Sequence, residues 1–198
     1  KELNVKLVHI STDHLFDGVK SYYSELDKPN PLNVYAKTKL EAERQATSIY
    51  PEVLVVRTNF FGNGTNYRKS FSDTILEKLY KNQRITLFDD VFFTPILIDE
   101  LVKIVHQLIY AKASGVFNIV GTERLSKYEF GMQLAKVFGL NDSLIKSNSI
   151  NDKHGLIDRP KDMSLSNNKL REKLKYNLPS LKEQFESLKN QVDKKIIF

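Results

Sequence analysis

The sequence predicts an α/β protein: a parallel sheet with helices between its strands, then an alternation of strands and helices that crosses between two lobes. Short β-branched apolar runs alternate with longer stretches of helical period. Capping Ser residues, Gly and Pro punctuate the boundaries. At 198 residues with 41% hydrophobic content, there is material for a core on the scale of one large domain or two lobes.

Residues 1–5 read as the frayed end of a helix feeding a strand. Lys6 to Ser11 is apolar and β-branched, which predicts a buried parallel strand whose carboxyl end delivers Thr12 and Asp13 to a crevice. A loop of about twenty residues rich in Gly, Pro and Asp follows, and Asn33 to Ser48 then carries apolar residues at helical spacing. Glu52 to Thr58 is a second buried strand. The stretch Gly62-Asn63-Gly64-Thr65-Asn66-Tyr67 reads as a flexible turn. Ser70 to Lys81 is a helix with a Ser70/Asp73 cap, and Arg84 to Phe88 a short strand. Leu97 to Lys112 is helical with apolar residues nearly all round its middle, so burial against the sheet is expected, with Gly115 ending it and Val116 to Val120 returning as a strand. Ser126 to Phe138 starts with a Ser126/Glu129 capping box and closes at Gly139. Ser166 and Ser180 start two further short helices, the second with a Ser180/Glu183 box. Phe92 and Phe93 are expected in the core, with Tyr128 and Phe130 as packing residues.

The chemistry lies in Ser11-Thr12-Asp13 and Tyr35-Ala36-Lys37-Thr38-Lys39. Tyr35 and Lys39 stand i,i+4 on one helix face, so their tips come within reach of each other. A phenol is a poor acid at neutral pH, and a cation beside it stabilises the phenolate, by about 4 kcal/mol at ~4 Å with an effective dielectric near 20. Tyr35 thereby becomes a candidate proton donor, Lys39 its stabiliser and a partner for a cofactor ribose, and Thr12 a hydroxyl that holds a substrate oxygen. With nine Tyr in the chain, about one Tyr-x-x-x-Lys pair arises by chance. The pair alone is therefore weak, and a half-buried Tyr beside a solvated Lys explains it equally well.

Composition excludes several classes. There is no Cys, hence no disulfide or thiolate chemistry. The four His, at 9, 14, 106 and 154, show no ligand spacing, so no metal is expected. The net charge of +6 is dispersed among acidic residues, as in Glu41 to Arg44 and Lys182 to Lys189, which describes a solvated surface better than a nucleic-acid face. Lys194-Lys195 reads as part of a tail. No apolar run approaches the roughly 18 residues of a membrane span and no signal segment is visible, so a cytoplasmic protein is expected.

The blocks Val8-His9-Ile10-Ser11-Thr12-Asp13-His14-Leu15-Phe16-Asp17-Gly18 and Pro31-Leu32-Asn33-Val34-Tyr35-Ala36-Lys37-Thr38-Lys39-Leu40-Glu41-Ala42-Glu43 closely resemble the dTDP-4-dehydrorhamnose reductase group of extended short-chain dehydrogenases/reductases. Later blocks agree in order: Val55-Val56-Arg57-Thr58-Asn59-Phe60-Phe61-Gly62, Phe93-Thr94-Pro95, Gly115-Val116-Phe117-Asn118-Ile119-Val120-Gly121, Leu125-Ser126-Lys127-Tyr128-Glu129-Phe130 and Arg159-Pro160. The resemblance implies a catalytic triad of Thr12, Tyr35 and Lys39, with NADPH or NADH as hydride donor. It also implies a nucleotide-linked keto sugar as substrate. Ser11, Tyr35 and Lys39 would contact the cofactor, and Asp13, Asn59, Phe60 and Arg159 the substrate. Arg159 also suits a diphosphate, which a guanidinium binds with two donors. Asn59 alternatively reads as a turn residue bonding its own backbone.

His14 stands where these reductases usually show Tyr, and Phe60 where they often carry Trp, which widens the expectation to a related keto-sugar reductase, epimerase or dehydratase. The sequence contains no Gly-x-Gly-x-x-Gly loop, which the family carries near its amino terminus. The expectation is therefore a chain cut from something longer: the carboxyl-terminal part of a Rossmann-like parallel sheet plus a small α+β substrate-binding lobe, inactive by itself. Residues 1–62 and 96–120 would form the remaining half of the dinucleotide-binding domain, and residues 63–95 and 121–198 the substrate lobe. A homodimer through the Tyr35 helix is implied by the resemblance alone. A non-catalytic regulatory or binding subunit on the same fold, and a self-standing interaction domain, remain open.

Overall fold

The computed structural model describes residues 5–65, 67–152 and 159–196, with side chains to residue 193. The expectations for residues 1–4 and Asn66, the side chains of Lys194 and Lys195, and His154 lie outside the described residues.

The chain runs β1 (Val8–Ile10), α1 (Val34–Ile49), β2 (Leu54–Arg57), β3 (Phe60–Phe61), α2 (Phe71–Tyr80), β4 (Ile85–Phe88), β5 (Phe92–Phe93), β6 (Ile96–Leu97), α3 (Ile98–Tyr110), β7 (Gly115–Asn118), β8 (Leu125–Ser126), α4 (Lys127–Phe138), β9 (Ile145–Asn148), α5 (Asn168–Leu174) and α6 (Leu181–Ile196). The central sheet has the order β1-β2-β7, all parallel, with Val8 opposite Leu54 and Leu54 opposite Gly115. Three small pairs complete the strands: β3 with β6 and β4 with β9 are parallel, β5 with β8 antiparallel.

β2 is buried along its whole length, as its unbroken apolar run predicts for a strand covered on both faces. β1 departs from the expectation of burial. Among the described residues it pairs on one side only, and Ile10 is 42% exposed. The loop from Ser11 to Leu32 is far from loose: Leu15, Phe16 and Tyr23 pack with Leu40, Val120 and Leu165. Tyr23 and Asn30 both donate to Asp17. Gly18 takes φ +80°, and a Cβ there would stand 2.8 Å from Lys161 N, so only glycine lets this loop meet residues 160–162.

The capping signals are realised. Ser70/Asp73 and Ser126/Glu129 form reciprocal capping boxes, Ser180 and Glu183 bond in the same manner, and Gly139 closes α4 in the left-handed region. Four expectations are corrected. α3 is buried on one face only, through Leu101, Ile104 and Leu108, while Val102 and Tyr110 lie open. Its cap is Ala111, and Gly115, at φ +83°, begins β7 instead. α5 starts from Asn167 rather than Ser166. α6 runs for 16 residues and is not short.

Two clusters dominate the interior. Leu54, Val56, Leu101, Ile104, Leu108, Phe117 and Leu170 pack β2, β7, α3 and α5 together. Phe61, Phe93, Phe130 and Phe185 lie ring against ring, with neighbouring centroids 5.0–5.5 Å apart, and join β3, β5, α2, α4 and α6. Phe93 and Phe130 are thus core as expected, and Tyr128 packs against the cluster. Phe92 is not core: it is half-buried beneath the Arg124 guanidinium, 3.8 Å from its ring centroid. No helix among the described residues is long and apolar enough to cross a membrane.

Candidate active site

The carboxyl end of β1 gathers most of the residues singled out by the sequence. Ser11 continues the strand register by donating its N–H to Val56 O at 2.6 Å. Its hydroxyl is buried without a hydrogen-bond partner among the described residues, as is that of Thr58 at the corresponding end of β2. The Thr12 hydroxyl accepts from the His14 N–H and donates to Asp13, both at 3.3 Å. Asp13 is 2% exposed, accepts from the Asn59 amide, and has His14 Nε2 at 3.9 Å. Asn59 therefore spends its side chain on Asp13 rather than on its own turn.

α1 brings the phenol and the ammonium. Asn33 caps it by accepting from the Ala36 N–H at 2.9 Å, which places Tyr35 in the first turn, 56% exposed. The His14 ring meets the Tyr35 ring edge-on, centroids 6.0 Å apart. One turn on, Lys39 Nζ donates to the Ile10 carbonyl at 2.6 Å, tying the helix to the end of β1. One turn further, Glu43 receives Arg57 Nε at 3.1 Å and Nη2 at 2.7 Å, both side chains buried. This two-donor pair clamps α1 against β2, at the far end of the helix face that carries Tyr35 and Lys39. Burial and then the positive charge of Lys39 push His9 below its ordinary value, against the opposing pull of Glu43.

Next to this corner lies a cleft of about 560 Å³, lined by Phe60, the turn from Gly62 to Thr65, Tyr67, Arg68, Lys69 and Phe71. Phe60 is 48% exposed on its wall and directly follows Asn59. Within the turn the Gly64 N–H donates to Asp73 at 2.7 Å, and a Cβ on Gly64 would lie 2.4 Å from Arg68 O. Arg159 is exposed, and among the described residues no hydrogen bond or ion pair joins it to this group. The cations on the cleft are Arg68 and Lys69, which the sequence reading passed over.

Lys127 was also missed. Its ammonium lies 3.2 Å from the Phe93 ring centroid and 4.9 Å from that of Phe71, a wall of the cleft. Burial brings it down to about 7, with the Asp13 carboxylate pulling the other way. The available signal was a cation at the first position of a capped helix, where the dipole disfavours it.

A parallel α/β sheet with helices packed on it, and with Thr12 and Asp13 just beyond the carboxyl end of β1, defines a Rossmann-like protein. The chain belongs to the RmlD substrate binding domain family, whose pattern matches residues 1–194. It is similar to the probable low-salt glycan biosynthesis reductase Agl14 of Haloferax volcanii, 26% identical over 188 residues covering 93% of this chain and 63% of that protein. It is also similar to methionine adenosyltransferase 2 subunit beta of Danio rerio, 29% identical over 144 residues, 69% of this chain and 45% of that one. The chain thus spans less than two thirds of the length of either relative. Among solved structures, dTDP-4-dehydrorhamnose reductase from Bacillus anthracis in complex with NADP superposes with a TM-score of 0.89 at 24% identity, covering 96% of this chain and 67% of that one.

Proposed function

We propose that this chain carries the catalytic edge and the substrate lobe of an NAD(P)H-dependent reductase acting on a nucleotide-linked keto sugar. The observation that carries the reading is the convergence of Thr12, Tyr35 and Lys39 on the end of β1, beside a cleft of sugar-nucleotide size. Residues 1–62 and 96–120 are assigned to the dinucleotide-binding side, residues 63–95 and 121–198 to the substrate side.

Tyr35 gives its phenolic proton to the substrate carbonyl oxygen as that oxygen gains charge, and Lys39 stabilises the phenolate left behind. Thr12 orients the same oxygen through its hydroxyl. Asp13, positioned by Asn59, and Phe60 shape the sugar end, while Arg159 is assigned to the diphosphate. The unpartnered hydroxyl of Ser11, with Tyr35 and Lys39, fits the nicotinamide-ribose end of a dinucleotide. No glycine-rich cradle for the dinucleotide's phosphates occurs in the sequence. When bound, NADH or NADPH supplies the hydride.

The test uses the full-length product of the gene, with oxidation of NADPH and NADH followed across a panel of dTDP- and UDP-linked keto sugars. Tyr35→Phe is expected to remove most turnover, at least about a hundredfold, with cofactor affinity nearly unchanged; full turnover in this variant refutes the proton-donor role. An epimeric product without net cofactor consumption points to an epimerase instead. The likeness to the beta subunit of an adenosyltransferase supports a second reading, a non-catalytic binding subunit. Dinucleotide binding without oxidation against any sugar in the panel decides for it.

A further inference from the structure

The Lys127 side chain is left over once this machinery is assembled. Its ammonium lies across Phe93 and Phe71 and makes no hydrogen bond or ion pair among the described residues. Aromatic faces attract a cation but offer its N–H groups no acceptor in line, and the half-buried side chain leaves those donors open to a partner that enters from the cleft. The ammonium is also removed from water strongly enough to fall to about 7, although Asp13 favours its charge. Phe71 is a wall of the cleft, and Asn59, which holds Asp13, directly precedes Phe60 on the same wall. The ammonium therefore sits against a wall of the cleft and within electrostatic reach of Asp13.

We propose that Lys127 is a specificity-determining residue whose ammonium donates a hydrogen bond to an oxygen of the sugar ring of a bound sugar nucleotide. This rests on the sugar-nucleotide reading given above. The sugar is favoured over the diphosphate because Asp13 repels a phosphate brought close to Lys127, whereas a neutral hydroxyl or carbonyl oxygen meets no such opposition. Besides Arg159, assigned to the diphosphate above, Arg68 on the turn lining the cleft offers the phosphates a cation, whereas Lys69 is already paired with Glu77. A Met side chain at 127 keeps the length and the aromatic contact but loses every donor.

Competitive acetylation of the full-length protein by acetic anhydride at neutral pH, read peptide by peptide in a mass spectrometer, tests this. In the free protein Lys127 is expected to react faster than the exposed Lys37, and saturating dTDP-glucose to slow Lys127 by about tenfold while dTDP leaves it unchanged. In parallel, Lys127→Met is expected to weaken dTDP-glucose by about tenfold and dTDP by less than about twofold. Equal protection by dTDP, or a saturated dTDP-glucose complex in which Lys127 reacts at its free rate, overturns the proposal alone. Calorimetry showing no binding of dTDP-glucose or dTDP overturns the sugar-nucleotide reading, and the proposal with it.

Discussion

Lys127 opens α4, an end of a helix that disfavours a cation, and burial has brought its ammonium down to about 7. In the unfolded chain the same group holds its proton to about pH 10.4. Between those values the unfolded state binds more protons than the folded one, so this lysine makes stability rise with pH from about 7 to about 10. Below 7 the whole penalty of a buried charge is present. Lys127→Met is accordingly expected to melt higher than the parent at pH 6, with the gap closing by pH 10; thermal unfolding at the two values checks it, and a gap independent of pH refutes it. Tyr35 and Lys39 were legible in the sequence because i,i+4 spacing is a local property, and Thr12 and Asp13 because a β-branched run points at them. Lys127 was not, because Phe71, Phe93 and Asp13 lie 56, 34 and 114 residues away along the chain.

α1 is anchored at both ends of its functional face. Asn33 caps its start and Lys39 bonds the end of β1, but the firmest tie is Glu43 to Arg57 on the buried strand β2. Arg57 also lies over the Phe16 ring, and its Nη1 has no partner among the described residues, so this guanidinium depends on Glu43 for its neutralisation. Glu43→Gln leaves the charge buried and unpaired and is expected to cost about 3 kcal/mol, measured by urea unfolding. A loss below about 0.5 kcal/mol refutes the clamp, since that is what a surface pair contributes. The capped helices α2, α4 and α6 could be read from Ser-x-x-Asp/Glu spacing. The two-residue strands β3, β5, β6 and β8 could not, because two residues carry no period, and β9 has a single buried apolar position.

The two larger apolar clusters lie one under the central sheet and one under the cleft. Phe130, fully buried, touches Phe61, Phe71, Phe93 and Phe185, and so joins α2, α4, α6 and the short strands that carry the cleft walls. Phe130→Ala is expected to cost about 3–5 kcal/mol and to weaken dTDP-glucose binding, with calorimetric unfolding and a binding titration as the measurements. A variant with unchanged stability would show that the ring stack does not support the cleft. From the residues alone come the α/β alternation, the capped helices, the family resemblance and the choice of Thr12, Tyr35 and Lys39 as candidates for the chemistry, because periodicity, caps and motif order are written over a few neighbouring positions. Only the tertiary structure places Asn59 on Asp13, Glu43 on Arg57 and Lys127 over two phenylalanines. Those contacts join residues distant in sequence, and only packing around a shared core decides which side chains meet.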